Sequence, residues 1–170
     1  MQWNRWGIYR KINELKNYLG KAETLPDIIA LQETHLVPKY KPKINGYELV
    51  RKDRDIKGGG ICIFIKNEIP FIEIDLGDVS PIEAQCIRIQ ENYFFNVYIP
   101  PNKNVERHCL MSMFDIREPR TVKKIIVGDF NAHHPMWGSV ITNARGRYLL
   151  HTIDQLDLVV LNTTANTRVD

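Results

Sequence analysis

Apolar positions recur along this chain in two rhythms. Near the N-terminus Ile8, Ile12, Leu15 and Leu19 return at helical spacing with Gly20 as a stop, which predicts an amphipathic helix over residues 8–19. The rhythm then changes to short runs of β-branched and aromatic residues set between turn formers. Residues 27–31, 47–51, 60–65, 71–74, 82–89, 93–99 and 124–127 are each predicted as a strand. Gln90-Glu91-Asn92 joins two of these runs closely enough for antiparallel pairing. Helical spacing returns over 106–113 and 146–156, and Leu158 to Leu161 reads as a last buried strand. The stretches 37–46 and 102–105 read as loops, and no repeat, low-complexity tract or domain boundary interrupts the chain. Hairpins mixed with helices predict layered α/β architecture, with helices covering β-sheets.

Composition adds bounds rather than identity. With 170 residues, 44% hydrophobic and 25% charged, the chain lies in the ordinary globular range and is expected to form one domain over 1–170. No apolar run approaches the roughly 20 residues that span a bilayer, and Met1 to Trp6 lacks a signal-peptide stretch, so the expectation is a soluble intracellular protein with no membrane partner. Cys62, Cys86 and Cys109 have neither metal-ligand spacing nor an even count, and read as buried free thiols. A net charge of +3 permits a polyanionic partner without requiring one.

Candidate chemistry gathers where apolar strands end. Ile125-Ile126-Val127 runs into Gly128-Asp129-Phe130-Asn131-Ala132-His133-His134, a carboxylate, an amide and two imidazoles within six residues. A polar turn with an Asn cap is the plain alternative there. Asp27 to Leu31 likewise runs into Gln32-Glu33-Thr34-His35. If neighbouring strands leave the same sheet edge, Glu33 and Asp129 converge, and converging hard oxygen ligands suit Mg²⁺ or Mn²⁺ better than zinc. Asn4 and Tyr98 are candidates to join them. Alternation over 93–99 puts Phe95, Val97 and Ile99 on one face, Asn96 and Tyr98 on the other.

Five segments occur in one order: Gln2-Trp3-Asn4, Pro26 to His35, Gly58-Gly59-Gly60, Val97 to Pro101, and Gly128 to His134 followed by Trp137-Gly138. Together they resemble the endonuclease/exonuclease/phosphatase superfamily, and within it the endonuclease domain of non-LTR retrotransposon polyproteins of the LINE or jockey-like group. That resemblance implies a four-layered α/β sandwich, two β-sheets flanked by helices. It implies a metal-dependent DNA endonuclease that nicks target DNA for reverse transcription, with Mg²⁺ or Mn²⁺ as cofactor and DNA as partner. It also implies a parent polypeptide that carries a reverse transcriptase, and a nuclear place of work. By the same resemblance Asn4 and Glu33 hold the metal, and Asp129 activates or orients the attacking water. Asn131 binds the scissile phosphate, and Tyr98 donates a hydrogen bond to it.

One departure bears on that expectation. Superfamily members end with a Ser-Asp-His motif on a late strand, and Thr167-Arg168-Val169-Asp170 supplies none. The resemblance therefore implies a C-terminally truncated domain lacking its final strands. A catalytically inactive remnant and a phosphatase of the same superfamily are the alternative functions. His133, His134 and Arg145 are candidate substrate contacts, against structural imidazoles and a solvated arginine. Gly58-Gly59-Gly60 reads as a turn entering the strand at Ile61 rather than a phosphate cradle, because no helix follows it.

Overall fold

A computed structural model describes residues 1–4, 6–54, 58–116 and 122–162. The described residues group into two compact units, one drawn from Met1–Pro100 and Pro119–Phe130, the other from Pro101–Glu118 and Asn131–Asp170.

The first unit holds two four-stranded mixed sheets. One contains β1 (Gln2–Asn4), β2 (Ile28–Gln32), β3 (Tyr47–Lys52) and β4 (Ile61–Lys66) in the order β1-β2-β4-β3. The other contains β5 (Ile72–Ile74), β6 (Glu83–Ile89), β7 (Asn92–Tyr98) and β8 (Lys124–Asp129) in chain order. Among the described strands, the β1–β2 and β7–β8 pairs are parallel and the rest antiparallel. Alternation along β2 explains the layering. Ile29 and Leu31 face α1 (Ile12–Lys21), whose Ile12, Leu15 and Leu19 bury against that side of the sheet together with Phe64. Ala30 faces the opposite way, into a second core with Ile63, Ile65, Ile87 and Phe94 between the two sheets. With both faces covered, β4 is apolar from Ile61 to Ile65 rather than alternating.

The expected hairpin is present. β6 and β7 pair from Ile89↔Asn92 outward, leaving Gln90 and Glu91 as a two-residue connection with Gln90 at φ 55°. Every strand predicted from residues 27 to 127 exists, with ends shifted by a residue or two. The helix predicted from residue 8 begins at Ile12, and Ile8 is buried in the turn before it.

In the second unit α2 (Arg107–Phe114) and α3 (Ala144–Gln155) pack on each other, and Pro135–Trp137 forms a 3₁₀ turn. The last strand expected, Leu158 to Leu161, is not a strand. Its alternate residues Val159 and Leu161 are 81% and 86% exposed, and no described strand pairs with it, so four apolar residues without a ladder stay in coil. Among the described residues no helix is long and apolar enough to cross a membrane.

Candidate active site

The first unit brings four of the expected residues to one place. The registers Asn4↔Gln32, Glu83↔Tyr98 and Tyr98↔Asp129 set the strand ends abreast in each sheet, and Glu33 follows directly on β2. The Asn4 side-chain amide donates to Glu33 Oε1 at 3.1 Å and to Asp129 Oδ2 at 2.5 Å, so one amide bridges two carboxylates from different sheets. Tyr98 stands close enough to Glu33 and Asp129 for both carboxylates to act on its hydroxyl. Burial, then the charges of Glu33 and Asp129, push its phenol up to about 12. Tyr98 therefore keeps its proton at neutral pH and is available as a hydrogen-bond donor.

Local backbone explains how Glu33 is presented. Glu33 and His35 have φ of 52° and 50°, a left-handed conformation that side chains adopt at a cost of about 1–3 kcal/mol each unless the surroundings impose it. Here they do. The Glu33 and Thr34 carbonyls accept from Gly7 and Ile8 at 2.9 Å, and the Thr34 and His35 amides donate to Gly60 and Gly59 at 3.0 and 2.8 Å. The triple-glycine segment before β4 is thus a clamp on the Glu33 segment, a role that its sequence reading as a turn did not include. Gly60, at φ 80°, leaves no room for a side chain: a Cβ there would lie 2.9 Å from Thr34 Oγ1.

Sequence reasoning missed what braces this turn. Glu83 Oε2 accepts from the Gly60 amide at 2.5 Å, and its other oxygen pairs with Arg54. His35 Nε2 stands 3.9 Å from Glu33 Oε2, and burial holds the imidazole below its usual range, opposed by the charge of Glu33 and assisted by Arg54 and Lys11. No local signal joins Arg54 to Glu83, which are 29 residues apart. His35 was visible in the Gln32-Glu33-Thr34-His35 run, without an assigned role.

Asn131, His133, His134 and Arg145 lie in the second unit. Asn131 has φ 46°, and its carbonyl accepts from Asn143 Nδ2 at 3.2 Å and Arg145 Nη1 at 3.3 Å. Arg145 also donates to the Lys103 carbonyl at 2.7 Å, so its guanidinium gathers loop carbonyls. Asn143 caps α3 through the Gly146 amide at 2.7 Å and also takes the His133 amide at 3.1 Å. His133 Nδ1 lies 3.2 Å from Ser139 Oγ. His134 Nδ1 accepts from the Met136 amide at 3.1 Å, capping the 3₁₀ turn with its ring against Trp137. The Asn cap of the plain reading is present, but it is Asn143.

The donor set fits a hard divalent cation that keeps much of its water. Two carboxylates and a carboxamide converge in the first unit, and no group of three or more His, Cys, Asp or Glu side chains among the described residues forms an all-protein cage.

Comparisons with known proteins agree with the sequence resemblance. A family model described as endonuclease–reverse transcriptase matches residues 92–170. The probable RNA-directed DNA polymerase from transposon X-element of Drosophila melanogaster is 27% identical over 98% of this chain. The chain spans 18% of that relative's length. Among solved structures, the endonuclease domain of TRAS1, a telomere-specific non-LTR retrotransposon, superposes with a TM-score of 0.68 at 23% identity, covering 95% of this chain and 73% of that one. The 3′ phosphatase NExo from Neisseria, bound to product DNA hairpin, gives 0.68 at 16% identity, covering 90% and 69%.

Proposed function

We propose that this chain, a homologue of transposon RNA-directed DNA polymerases with the fold of the endonuclease/exonuclease/phosphatase superfamily, is a non-LTR retrotransposon endonuclease domain that hydrolyses a phosphodiester to nick target DNA. The observation that carries this reading is the meeting of Asn4, Glu33, Tyr98 and Asp129 at the ends of strands from both sheets. In it, Glu33 and Asn4 would hold Mg²⁺ or Mn²⁺. When bound, the metal supplies positive charge to the phosphoryl oxygens.

The protein groups divide the remaining work. Asp129 accepts a hydrogen bond from the attacking water and orients it in line with the leaving 3′ oxygen. Asn4, which already donates to Asp129, keeps that carboxylate turned toward the substrate. Tyr98 stays protonated far above neutrality and donates to a non-bridging oxygen as its charge grows. By the sequence resemblance, Asn131 donates its carboxamide to phosphate, and His133, His134 and Arg145 are candidate substrate contacts beside it. The parent polypeptide carries a reverse transcriptase, as the X-element relative's name describes for that protein, and the enzyme works on chromosomal DNA in the nucleus.

The test is nicking of supercoiled plasmid by this chain with Mg²⁺, with EDTA, and with Asp129→Ala. Metal-dependent nicking that disappears in the variant is expected. Intact plasmid from a folded chain overturns the reading, and turnover of soluble phosphoesters beside intact plasmid would make the chain a phosphatase instead.

A further inference from the structure

The two sheets of the first unit face one another through apolar side chains such as Ala30, Ile63, Ile87 and Phe94, and a polar link interrupts that layer. Gln32 is 1% exposed and Asn96 is 0% exposed. Gln32 Nε2 donates to Asn96 Oδ1 at 2.6 Å. Asn96 Nδ2 donates to the carbonyls of Cys62 at 3.0 Å and Leu31 at 3.2 Å. Gln32 Oε1 in turn accepts from Gln2 Nε2 at 2.6 Å. Asn96 belongs to the second sheet, and all of these partners belong to the first.

We infer that Gln32 and Asn96 are positioning residues that fix the offset between the two sheets, and with it the placing of Asn4 and Glu33 against Tyr98 and Asp129. The inference rests on reading that cluster as the hydrolytic centre. Apolar contacts between sheets are non-directional and tolerate sliding, whereas hydrogen bonds in a dry interior do not, because a slip strands buried polar groups. The link is also well placed. Gln32 directly precedes Glu33 and lies opposite Asn4 in register, while Asn96 lies two residues before Tyr98 and opposite Val127, two residues before Asp129. Each half of the cluster is therefore anchored within two residues of it. The Asn4–Asp129 bond also crosses between the sheets, but it is made by groups that the proposed function assigns to metal and water, whereas Gln32 and Asn96 are buried away from that chemistry.

The experiment replaces both amides by apolar groups of similar size, Gln32→Met with Asn96→Leu, in the full chain. This removes both amides of the link together, so neither is left facing an apolar replacement of the other, while Gln2 and the Cys62 and Leu31 carbonyls each lose one bond. Circular dichroism and urea unfolding report folding. The side-chain amide resonances of Asn4, identified by their loss in Asn4→Ser, report the cluster without metal or substrate. Mn²⁺ alone is titrated by electron paramagnetic resonance. A folded variant with shifted Asn4 resonances, roughly tenfold weaker Mn²⁺ binding, and kcat for nicking lowered about tenfold or more at nearly constant KM is expected. A folded variant with wild-type Asn4 resonances and Mn²⁺ affinity overturns the inference. If the wild-type chain neither binds Mn²⁺ nor nicks, yet the variant still shifts the Asn4 resonances, the nuclease reading fails and the positioning role stands. If the double variant does not fold, hydrogen exchange of the Asn96 carboxamide in the wild-type chain decides. Exchange as slow as that of core backbone amides supports the link, and exchange as fast as that of a surface amide overturns it.

Discussion

Two groups of candidate side chains, one in each compact unit, make different kinds of bond. In the first unit Asn4 bonds both the Glu33 and the Asp129 side chains, and the backbone around Glu33 is held by other groups. In the second, Asn143, Arg145 and His134 each bond backbone, capping α3, gathering the Asn131 and Lys103 carbonyls and closing a 3₁₀ turn. Side chains bonded to other side chains can exchange those partners for a ligand without unfolding anything. Groups that hold backbone cannot do so freely. Closeness in sequence is not needed for such a bond: the Asn4 amide that donates to the Asp129 carboxylate is 125 residues away.

Substitutions on either side of this contrast should separate function from stability. Asp129→Asn has the largest expected effect, a fall in plasmid nicking of about 10²–10⁴-fold, with the urea midpoint held or raised because one of two facing carboxylates is gone. A midpoint that drops in parallel with activity would put Asp129 among the structural groups. Next comes Gly128→Ala. The new Cβ would overlap the Val97 carbonyl at a residue with φ 152°, so a loss of about 3 kcal/mol or more in urea unfolding is expected.

Asn143→Ala should act in the reverse sense to Asp129→Asn. It removes the α3 cap and the partner of the His133 amide, and about 1–2 kcal/mol of stability should go while nicking at a temperature well below Tm changes little. The smallest effect is in pH dependence. The His35 imidazole titrates below its unfolded value near 6.5, so on acidification the unfolded chain takes the proton first. Its contribution is present in full above about pH 6.5 and is lost as pH falls through the folded value. Unfolding followed from pH 8 to pH 5 should show a loss that His35→Gln reduces.

Local elements were legible because their causes are local. Ile12, Leu15 and Leu19 make one face of a helix whatever surrounds them, and Gln90-Glu91 sets its own hairpin register. Glu33 and Asp129 were legible as residues leaving apolar strands. β1 was not read as a strand, since Trp3 is its only large apolar residue and its extended form comes from a parallel ladder with β2. Asn96 was legible as facing away from Phe95 and Val97, but not as the polar link across the sheets, because its partners are set by how two sheets meet. Leu158 to Leu161 has strand composition, and composition cannot supply a neighbouring strand.

The parallel pairings have a kinetic consequence. The β6–β7 hairpin closes a two-residue loop and can form on a microsecond scale. The β1–β2 and β7–β8 pairs each require a long connection to close, and the Asn4–Asp129 bond requires both sheets. Loop-closure entropy defers such contacts until the intervening chain is organised. The four-residue cluster consequently depends on contacts that close late, so a chain in which either sheet is unformed does not hold Asn4, Glu33, Tyr98 and Asp129 together.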